Sequence, residues 1–273
     1  MAIVTDSAAN VPHDVVDELG IVVVPLQVRF GDEAHADGEI GDDVYRRMAD
    51  GEVATTSAPS VGDWLAGFER AAAPEVVCVT LAGALSATHH EAVLAAERSS
   101  SRVEVVDSGT ASMAEGFVAV EAARAAAAGA PVERVVERAR HVAARVRLLG
   151  AIETFDHLRR TGRVTRLQAY AATALSIRPL FRLRDGEIEP AGRARTRARA
   201  LQLLTDLTLA DGGAGPLHVA ALHAVAEEDA RTLLERIRGA TEVAEEFLVP
   251  VTPVIGASAG PGLVGLASWR EES

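Results

Sequence analysis

Four short segments rich in hydroxyl groups are the parts of this sequence whose residue types suit ligand binding. Serine and threonine hydroxyls donate hydrogen bonds to an anion, and a helix that follows them adds exposed N–H groups at its amino terminus. A carboxylate or a phosphate is therefore the expected ligand. The four segments are Thr5-Asp6-Ser7, Thr55-Thr56-Ser57-Ala58-Pro59-Ser60, Ala82-Gly83-Ala84-Leu85-Ser86-Ala87-Thr88 and Asp107-Ser108-Gly109-Thr110.

The elements that position these segments are predicted from hydrophobic patterning in the first half of the chain. β-branched runs at 2–5, 21–30, 76–81 and 103–107 alternate with helical segments, each opened by a Ser, Asp or Pro. This alternation is typical of a parallel sheet covered on both faces. Ligands of such sheets bind beyond the carboxyl ends of the strands. We therefore expect the four segments to converge on one pocket, with helix amino termini at Ser60 and Ser86.

The second half of the chain has a different pattern. A strand at 148–154, a helix at 166–176 and a hairpin turning at Asp185-Gly186 precede helices at 196–209 and 227–238 that alternate with further strands. These elements predict a mixed sheet with helices on one side. We therefore expect the α/β fold class, with a boundary near Thr154 between a parallel-sheet domain at 1–154, which carries the ligand-binding loops, and a mixed domain at 155–273.

Composition excludes several classes of function. All 27 basic residues are arginine, so Schiff-base chemistry and a Walker phosphate loop are excluded. A net charge of −12 argues against nucleic acid and membrane surfaces as partners. Cys78 has no second cysteine to pair with, which indicates a reducing compartment. We expect a cytoplasmic protein without stable membrane anchoring.

Two motif matches near the carboxyl end are better explained as one tight turn. Gly256-Ala257-Ser258-Ala259-Gly260 fits a nucleophile elbow, but no Asp or His follows it. The Gly-rich run 260–265 fits a dinucleotide fingerprint, but the chain ends too soon for the rest of that unit.

The only compact cluster of metal-ligating residue types is His89-His90-Glu91, whose adjacent histidines point to different sides of a helix. We expect no metal, no cofactor and no catalytic residue.

A set of short motifs in a fixed order resembles the DegV family over essentially the whole chain. Each motif alone is weak, and their order and spacing together are specific. They are Ile3-Val4-Thr5-Asp6-Ser7, Thr56-Ser57-Ala58-Pro59-Ser60, Leu85-Ser86-Ala87-Thr88, Val106-Asp107-Ser108, Leu158-Arg159-Arg160-Thr161-Gly162-Arg163-Val164, Arg178-Pro179-Leu180 and Gly260-Pro261-Gly262.

The resemblance implies a two-domain α/β fold, related to dihydroxyacetone kinase substrate domains, with a long-chain fatty acid between the domains. It also implies a role as the binding subunit of a fatty acid kinase, which presents the carboxylate to a separate ATP-binding subunit. By this similarity Thr56 and Ser86 hold the carboxylate. The full set of predicted ligand-binding residues is Thr56, Ser57, Ser86, Ser7 and Ser258. The predicted kinase contacts are Arg163, Arg193 and Arg195.

Departures from the family pattern keep other functions open. Ser258 stands where members of the kinase system have a histidine, Ala87 stands where the family has glycine, and Thr161 replaces one glycine of a pair. A serine donates a hydrogen bond but cannot act as an acid near neutral pH. One alternative is therefore a lipid carrier or sensor with no kinase partner. Another is a serine hydrolase that uses Ser258 or Ser86.

Overall fold

The structure is a computed structural model that describes residues 1–163, 177–210 and 215–271. Its strands form three sheets of four, three and six strands. The helix expected at 166–176 lies outside the described residues. Among the helices that the structure describes, none combines the length and the apolar character needed to cross a membrane.

The four-stranded sheet is parallel and has the order β2-β1-β6-β7. Its strands are β1 Ala2–Asp6, β2 Val22–Val24, β6 Glu75–Thr80 and β7 Arg102–Asp107. Helices α3 Val61–Arg70 and α4 Thr88–Ala96 pack on one face, and α5 Met113–Ala127 and α6 Val132–Ala143 pack on the other. The short helix α1 His13–Leu19 packs against α5. The predicted parallel sheet with two covered faces is confirmed.

A small antiparallel sheet, with the order β4-β3-β5, was not predicted. Its strands are β3 Gln27–Phe30, β4 Glu33–Ala36 and β5 Ala54–Ser57, and helix α2 Asp43–Ala49 lies between β4 and β5. The run at 21–30 was expected to be one strand. It is two strands in two sheets, because Pro25 lacks the N–H that would continue the ladder. Strands β4 and β5 are short and rich in Ala and polar residues, so they carry little strand signal.

The six-stranded sheet is mixed and has the order β10-β9-β8-β13-β11-β12. Its strands are β8 Arg147–Ala151, β9 Arg178–Arg184, β10 Glu187–Ala194, β11 Leu217–His223, β12 Val243–Pro250 and β13 Val264–Arg270. Within this sheet, β11 and β12 are the one parallel pair among the described strands, and the other pairs are antiparallel. Helices α8 Arg197–Ala210 and α9 Glu227–Arg238 cover one face, as predicted. Positive φ angles at Asp185 and Gly186 form the predicted hairpin turn.

The change of sheet falls earlier in the chain than the boundary at Thr154 that patterning suggested. Strand β8 pairs with β9 and β13 at the centre of the six-stranded sheet, although it lies before that boundary. The division between the sheets therefore lies between α6 and β8. The predicted boundary therefore separates β8 from the sheet to which it belongs.

Hydrogen bonds between distant segments hold the two larger sheets together. The side chain of Asn10 donates to the carbonyl of Pro250 at 3.0 Å and accepts from the amide of Thr252 at 2.9 Å. A second link comes from the hairpin turn, where the Gly186 amide donates to the Gly109 carbonyl at 2.7 Å. The remaining short helices are α7 Asp156–Arg160 and α10 Pro253–Ala259, and α10 packs on α2, α7, β3 and β5. These contacts enclose the space between the sheets.

Candidate functional site

An apolar cavity lies between the four-stranded and the six-stranded sheet. Its empty space is about 870 Å³, including the solvent at its mouth. Its apolar lining consists of Ala8, Leu26, Leu81, Leu85, Ala111, Leu148, Leu149, Gly150, Phe181, Leu183, Ile188, Leu222, Val251, Val254, Ile255, Ala259, Leu263 and Gly265. Its polar lining consists of Thr56, Ser57, Ser86, Ser112, Arg163 and Ser258. The cavity suits a long apolar molecule with a polar end.

Three of the polar lining residues are Thr56, Ser86 and Arg163, which we call the polar cluster. Strand β5 carries Thr56 opposite Val28 of β3, and Ser86 lies in the loop between β6 and α4. The Arg163 guanidinium contacts Thr56 and the residue before Ser86: its Nη2 donates to Thr56 Oγ1 at 3.1 Å, and its Nε donates to the Leu85 carbonyl at 3.3 Å. Ser57 of β5 lines the same cavity.

Arg163 supplies the positive charge of the polar cluster. Burial lowers the pKa of its guanidinium from the ordinary value, but a guanidinium remains protonated in proteins. The sequence predicted Arg163 as a contact for a partner protein. The structure instead directs its side chain into the cavity, where it can pair with an anionic ligand.

The hydroxyls of the cluster keep hydrogen-bonding capacity for a ligand. Thr56 Oγ1 accepts from Arg163, which leaves its own proton to donate. Ser86 Oγ lies 2.8 Å from Thr88 Oγ1 and accepts from the Thr88 amide at 3.2 Å. When Thr88 donates, the Ser86 proton is also available.

Ser7 and Ser60 were expected at this site, and the structure places both elsewhere. Ser7 Oγ donates to Asp37 at 2.7 Å and accepts from the Leu26 amide at 3.0 Å, so it fixes the start of β3 and does not line the cavity. The exposed Ser60 forms a capping box with Asp63 at the start of α3. Both side chains serve turns and caps, which sequence patterns alone do not separate from ligand contacts.

Ser258 lines the cavity from α10, which ends at the predicted Gly-Pro-Gly turn. Gly260 and Gly262 both have positive φ. At Gly260 a Cβ would lie 2.4 Å from Cδ2 of His157, so only glycine allows this close approach. Because Ser258 lies within a helix and not in a strand-to-helix turn, the nucleophile-elbow geometry is absent here.

His157 is a residue of this region that sequence reasoning did not select. Together with Arg160, Thr161 and Glu52 it lines a polar pocket that shares Thr56 and Arg163 with the apolar cavity. Burial, and secondarily the charge of Arg160, lowers the pKa of its imidazole. The apolar cavity therefore opens, at the polar cluster, onto a pocket with two arginines and a histidine.

A buried carboxyl pair lies at the carboxyl end of β1. Asp6 accepts from the amides of Ala8 and Leu81 at 2.9 Å each, and both of these residues line the cavity. Burial raises the pKa of Asp6 to about 7. Burial and the neighbouring Asp6 raise the pKa of Glu115 well above its usual range, while Thr5 donates to Glu115 at 3.4 Å. Through its two hydrogen bonds, Asp6 fixes the backbone of two residues in the cavity wall.

The remaining predicted partner contacts lie away from the cavity. Arg193, at the end of β10, and the following Arg195 are exposed. Two nearby arginines form ion pairs within the chain: Arg178 with Glu153 at 3.1 Å, and Arg197 with Asp229 at 2.7 Å.

Fold and cavity together define an α/β protein of three sheets, with an apolar cavity whose lining includes a cationic polar cluster. Comparison with known sequences identifies the family. The sequence model described as "uncharacterised protein, DegV family" matches residues 1–271. The chain belongs to the DegV family.

Relatives and solved structures agree with this assignment over the full length. A DegV domain-containing protein of Streptomyces coelicolor is 36% identical over 272 residues, which is 97% of each chain. A DegV family protein of Thermus thermophilus, described by its fatty acid binding, superposes with a TM-score of 0.94 at 28% identity, covering 99% of each chain. A DegV lipid-binding protein of Thermotoga maritima has a TM-score of 0.90 at 29% identity, covering 99% of this chain and 98% of its own. The predicted DegV-like fold is confirmed.

Proposed function

We propose that this protein binds a long-chain fatty acid in the apolar cavity, with the carboxylate at the polar cluster. The observation that carries the proposal is the hydrogen-bonded Arg163–Thr56 pair in the wall of a mostly apolar cavity. An arginine and two hydroxyls match the acceptor oxygens of a carboxylate. The fatty acid binding described for structural neighbours supports the same ligand class.

The energetics of this binding follow from the apolar lining. Each buried methylene contributes about 0.8 kcal/mol, so a chain of about sixteen carbons contributes on the order of 10 kcal/mol before ordering costs. Among the described residues, the lining is mostly Leu, Ile, Val and Ala, and Phe181 is its one aromatic residue. The tail therefore supplies most of the affinity, and the polar cluster fixes the orientation.

A displacement assay with a fluorescent fatty acid tests the proposal. We expect palmitate to compete with the probe, and palmitate methyl ester to compete poorly because it lacks the anionic end. Equal competition by the acid and the ester would place the carboxylate away from Arg163. Loss of all competition would refute fatty acid binding.

We further propose that the bound acid is presented to a separate ATP-dependent kinase subunit. The polar pocket beside the polar cluster supports this, because His157, Arg160 and Arg163 surround the place where a phosphoryl group would meet the carboxylate. By itself the protein then acts as a lipid-binding protein and not as an enzyme. Its location in the cytoplasm stays a prediction from its single cysteine.

Reconstitution with a fatty acid kinase ATP-binding subunit distinguishes presentation from simple carriage. Acyl phosphate formation would support presentation, whereas its absence with a bound acid would favour a carrier or sensor, the alternative motivated by Ser258. Charge reversal at Arg193 and Arg195 should reduce the rate of acyl phosphate formation and leave lipid affinity unchanged.

A fluorophosphonate probe tests the hydrolase alternative. A serine hydrolase would be labelled at Ser86 or Ser258.

A further inference from the structure

Ser112 is a polar residue of the cavity that the carboxylate site does not use. It immediately precedes α5, lines the cavity and is 2% exposed. Within the described residues its Oγ is buried and has no hydrogen-bond partner, and it does not cap the helix. A buried hydroxyl without a partner is unfavourable unless a ligand or a water satisfies it.

The backbone of Ser112 is also held in an unfavourable conformation. Its φ of 54° and ψ of −154° fall in a region that residues with a side chain rarely adopt and that favours glycine. Glycine would relieve both the backbone strain and the unpaired hydroxyl. The presence of serine at a cavity wall therefore points to a contact with the cavity's occupant.

The surroundings of Ser112 favour a neutral oxygen atom as that contact. The amino terminus of the 15-residue helix α5 carries a partial positive charge and donor N–H groups, which attract an electron-rich atom. Glu115 lies in the first turn of α5, and Asp6 contacts it. These acidic neighbours supply no positive charge, whereas the polar cluster with its Arg163 offers the carboxylate a cationic position.

We propose that Ser112 and the amino terminus of α5 form a second polar subsite within the acyl cavity, which selects fatty acids that carry a hydroxyl or oxo group along the chain. This inference rests on the proposed fatty acid binding and specifies the ligand class. A chain hydroxyl can either accept a hydrogen bond from Ser112 or donate one to it, whereas an oxo oxygen can only accept. Ala111, which precedes Ser112 in the chain, and Ala8 also line the cavity, and both have small side chains.

The test compares stearate with hydroxystearates substituted at successive carbons, using the full-length protein. Affinities are measured for the wild type, Ser112→Ala and Ser112→Gly. We expect one positional isomer whose affinity relative to stearate falls about fivefold in both variants, the value of one neutral hydrogen bond. Ser112→Gly keeps the backbone conformation, so it serves if Ser112→Ala fails to fold.

Thr56→Ala serves as the matched control, because it should weaken stearate and every isomer by the same factor. The inference is overturned if the relative affinity of every isomer is unchanged by both substitutions at Ser112. It is also overturned if Ser112→Ala weakens plain stearate as much as Thr56→Ala does, since Ser112 would then belong to the carboxylate site. If the wild type binds no stearate, the proposed function itself fails, and this inference fails with it.

Discussion

Arg163 Nη2 donates a 3.1 Å hydrogen bond to Oγ1 of Thr56, a residue 107 positions earlier in the chain. The bond joins the short β-sheet of the first half to the segment that follows α7. It also places a positive charge in the wall of a mostly apolar cavity, and no local sequence pattern predicts this. The proposed carboxylate site depends on this pair.

Replacing the charge of Arg163 should weaken carboxylate binding selectively. A hydrogen bond to a charged group contributes about 1.5–3 kcal/mol, so Arg163→Gln should raise the dissociation constant for palmitate by about ten- to a hundredfold. Isothermal titration of palmitate measures the change. The exposed Arg195→Gln is the matched control and should bind palmitate like the wild type. Equal affinity in the Arg163 and Arg195 variants would remove Arg163 from the site.

The hydroxyls of Thr56 and Ser86 should each contribute less to the free energy of palmitate binding than the Arg163 guanidinium does. Thr56→Val keeps the shape of the side chain and removes one donor, and Ser86→Ala removes the other. Each neutral donor is worth about 1 kcal/mol, so the double variant should lose about tenfold or more in palmitate affinity. Displacement of a fluorescent acid measures this. Palmitate methyl ester is the control ligand, and a similar loss for the ester would indicate a packing defect.

The chain length accepted by the cavity should depend on Gly150. A Cβ at this position would lie 2.5 Å from Cζ of Phe181, which lines the cavity, so Gly150→Ala must displace that ring. We expect a preference for shorter acids, with about a fourfold loss for each methylene that no longer fits. Competition among acids of increasing length measures the shift.

Gly67→Ala is the matched overpacking control for that experiment. Its Cβ would lie 2.5 Å from Cγ2 of Val24, in the core between α3 and the parallel sheet and away from the cavity. It should lower the melting temperature without changing the order of chain-length preference. A changed order in the Gly67 variant, or an unchanged order in the Gly150 variant, would contradict the assignment of the cavity as the acyl site.

The Asp6–Glu115 pair should make stability fall as pH rises. Because burial raises the pKa of Asp6 to about 7, the folded protein keeps a proton that the unfolded chain releases above its ordinary pKa of 3.8. This contribution is complete below about pH 4 and is lost as pH rises to about 7. The pKa of Glu115 is raised in the same direction, so it adds to the same loss above its ordinary value of 4.5.

Glu115→Gln tests this coupling, because its amide can still accept from Thr5 and donate to Asp6. The variant should match the wild type in acid and exceed it in stability near neutral pH, as measured by urea denaturation across pH. Glu246→Gln is a control in which stability near neutral pH should change in the opposite direction, because Arg238 lowers the pKa of Glu246. Parallel stability curves for wild type and Glu115→Gln would contradict the raised pKa.

Local patterns were sufficient to predict the parallel sheet, the mixed sheet and the hairpin turn at Asp185-Gly186. These features depend on residue type and short-range spacing, and so does the cap at Ser60. Strands β4 and β5 escaped prediction because their few residues stabilise a sheet only through partners distant in sequence. Strand β8 was placed before the domain boundary for the same reason.

Side-chain direction was the part of the site that the sequence could not provide. Four of the five predicted ligand-binding residues line the cavity: Thr56, Ser57, Ser86 and Ser258. The fifth, Ser7, instead forms hydrogen bonds with Asp37 and the Leu26 amide. Arg163 turns inward because Thr56 and the Leu85 carbonyl offer it acceptors that are far away in the chain. Such pairings arise only after the sheets have packed.

Native mass spectrometry of the purified protein, with and without added palmitate, tests the central claim most directly. The account predicts one long-chain acid per chain, bound by the wild type and retained poorly by Arg163→Gln. A clean mass of the protein alone that does not change when palmitate is added would contradict it.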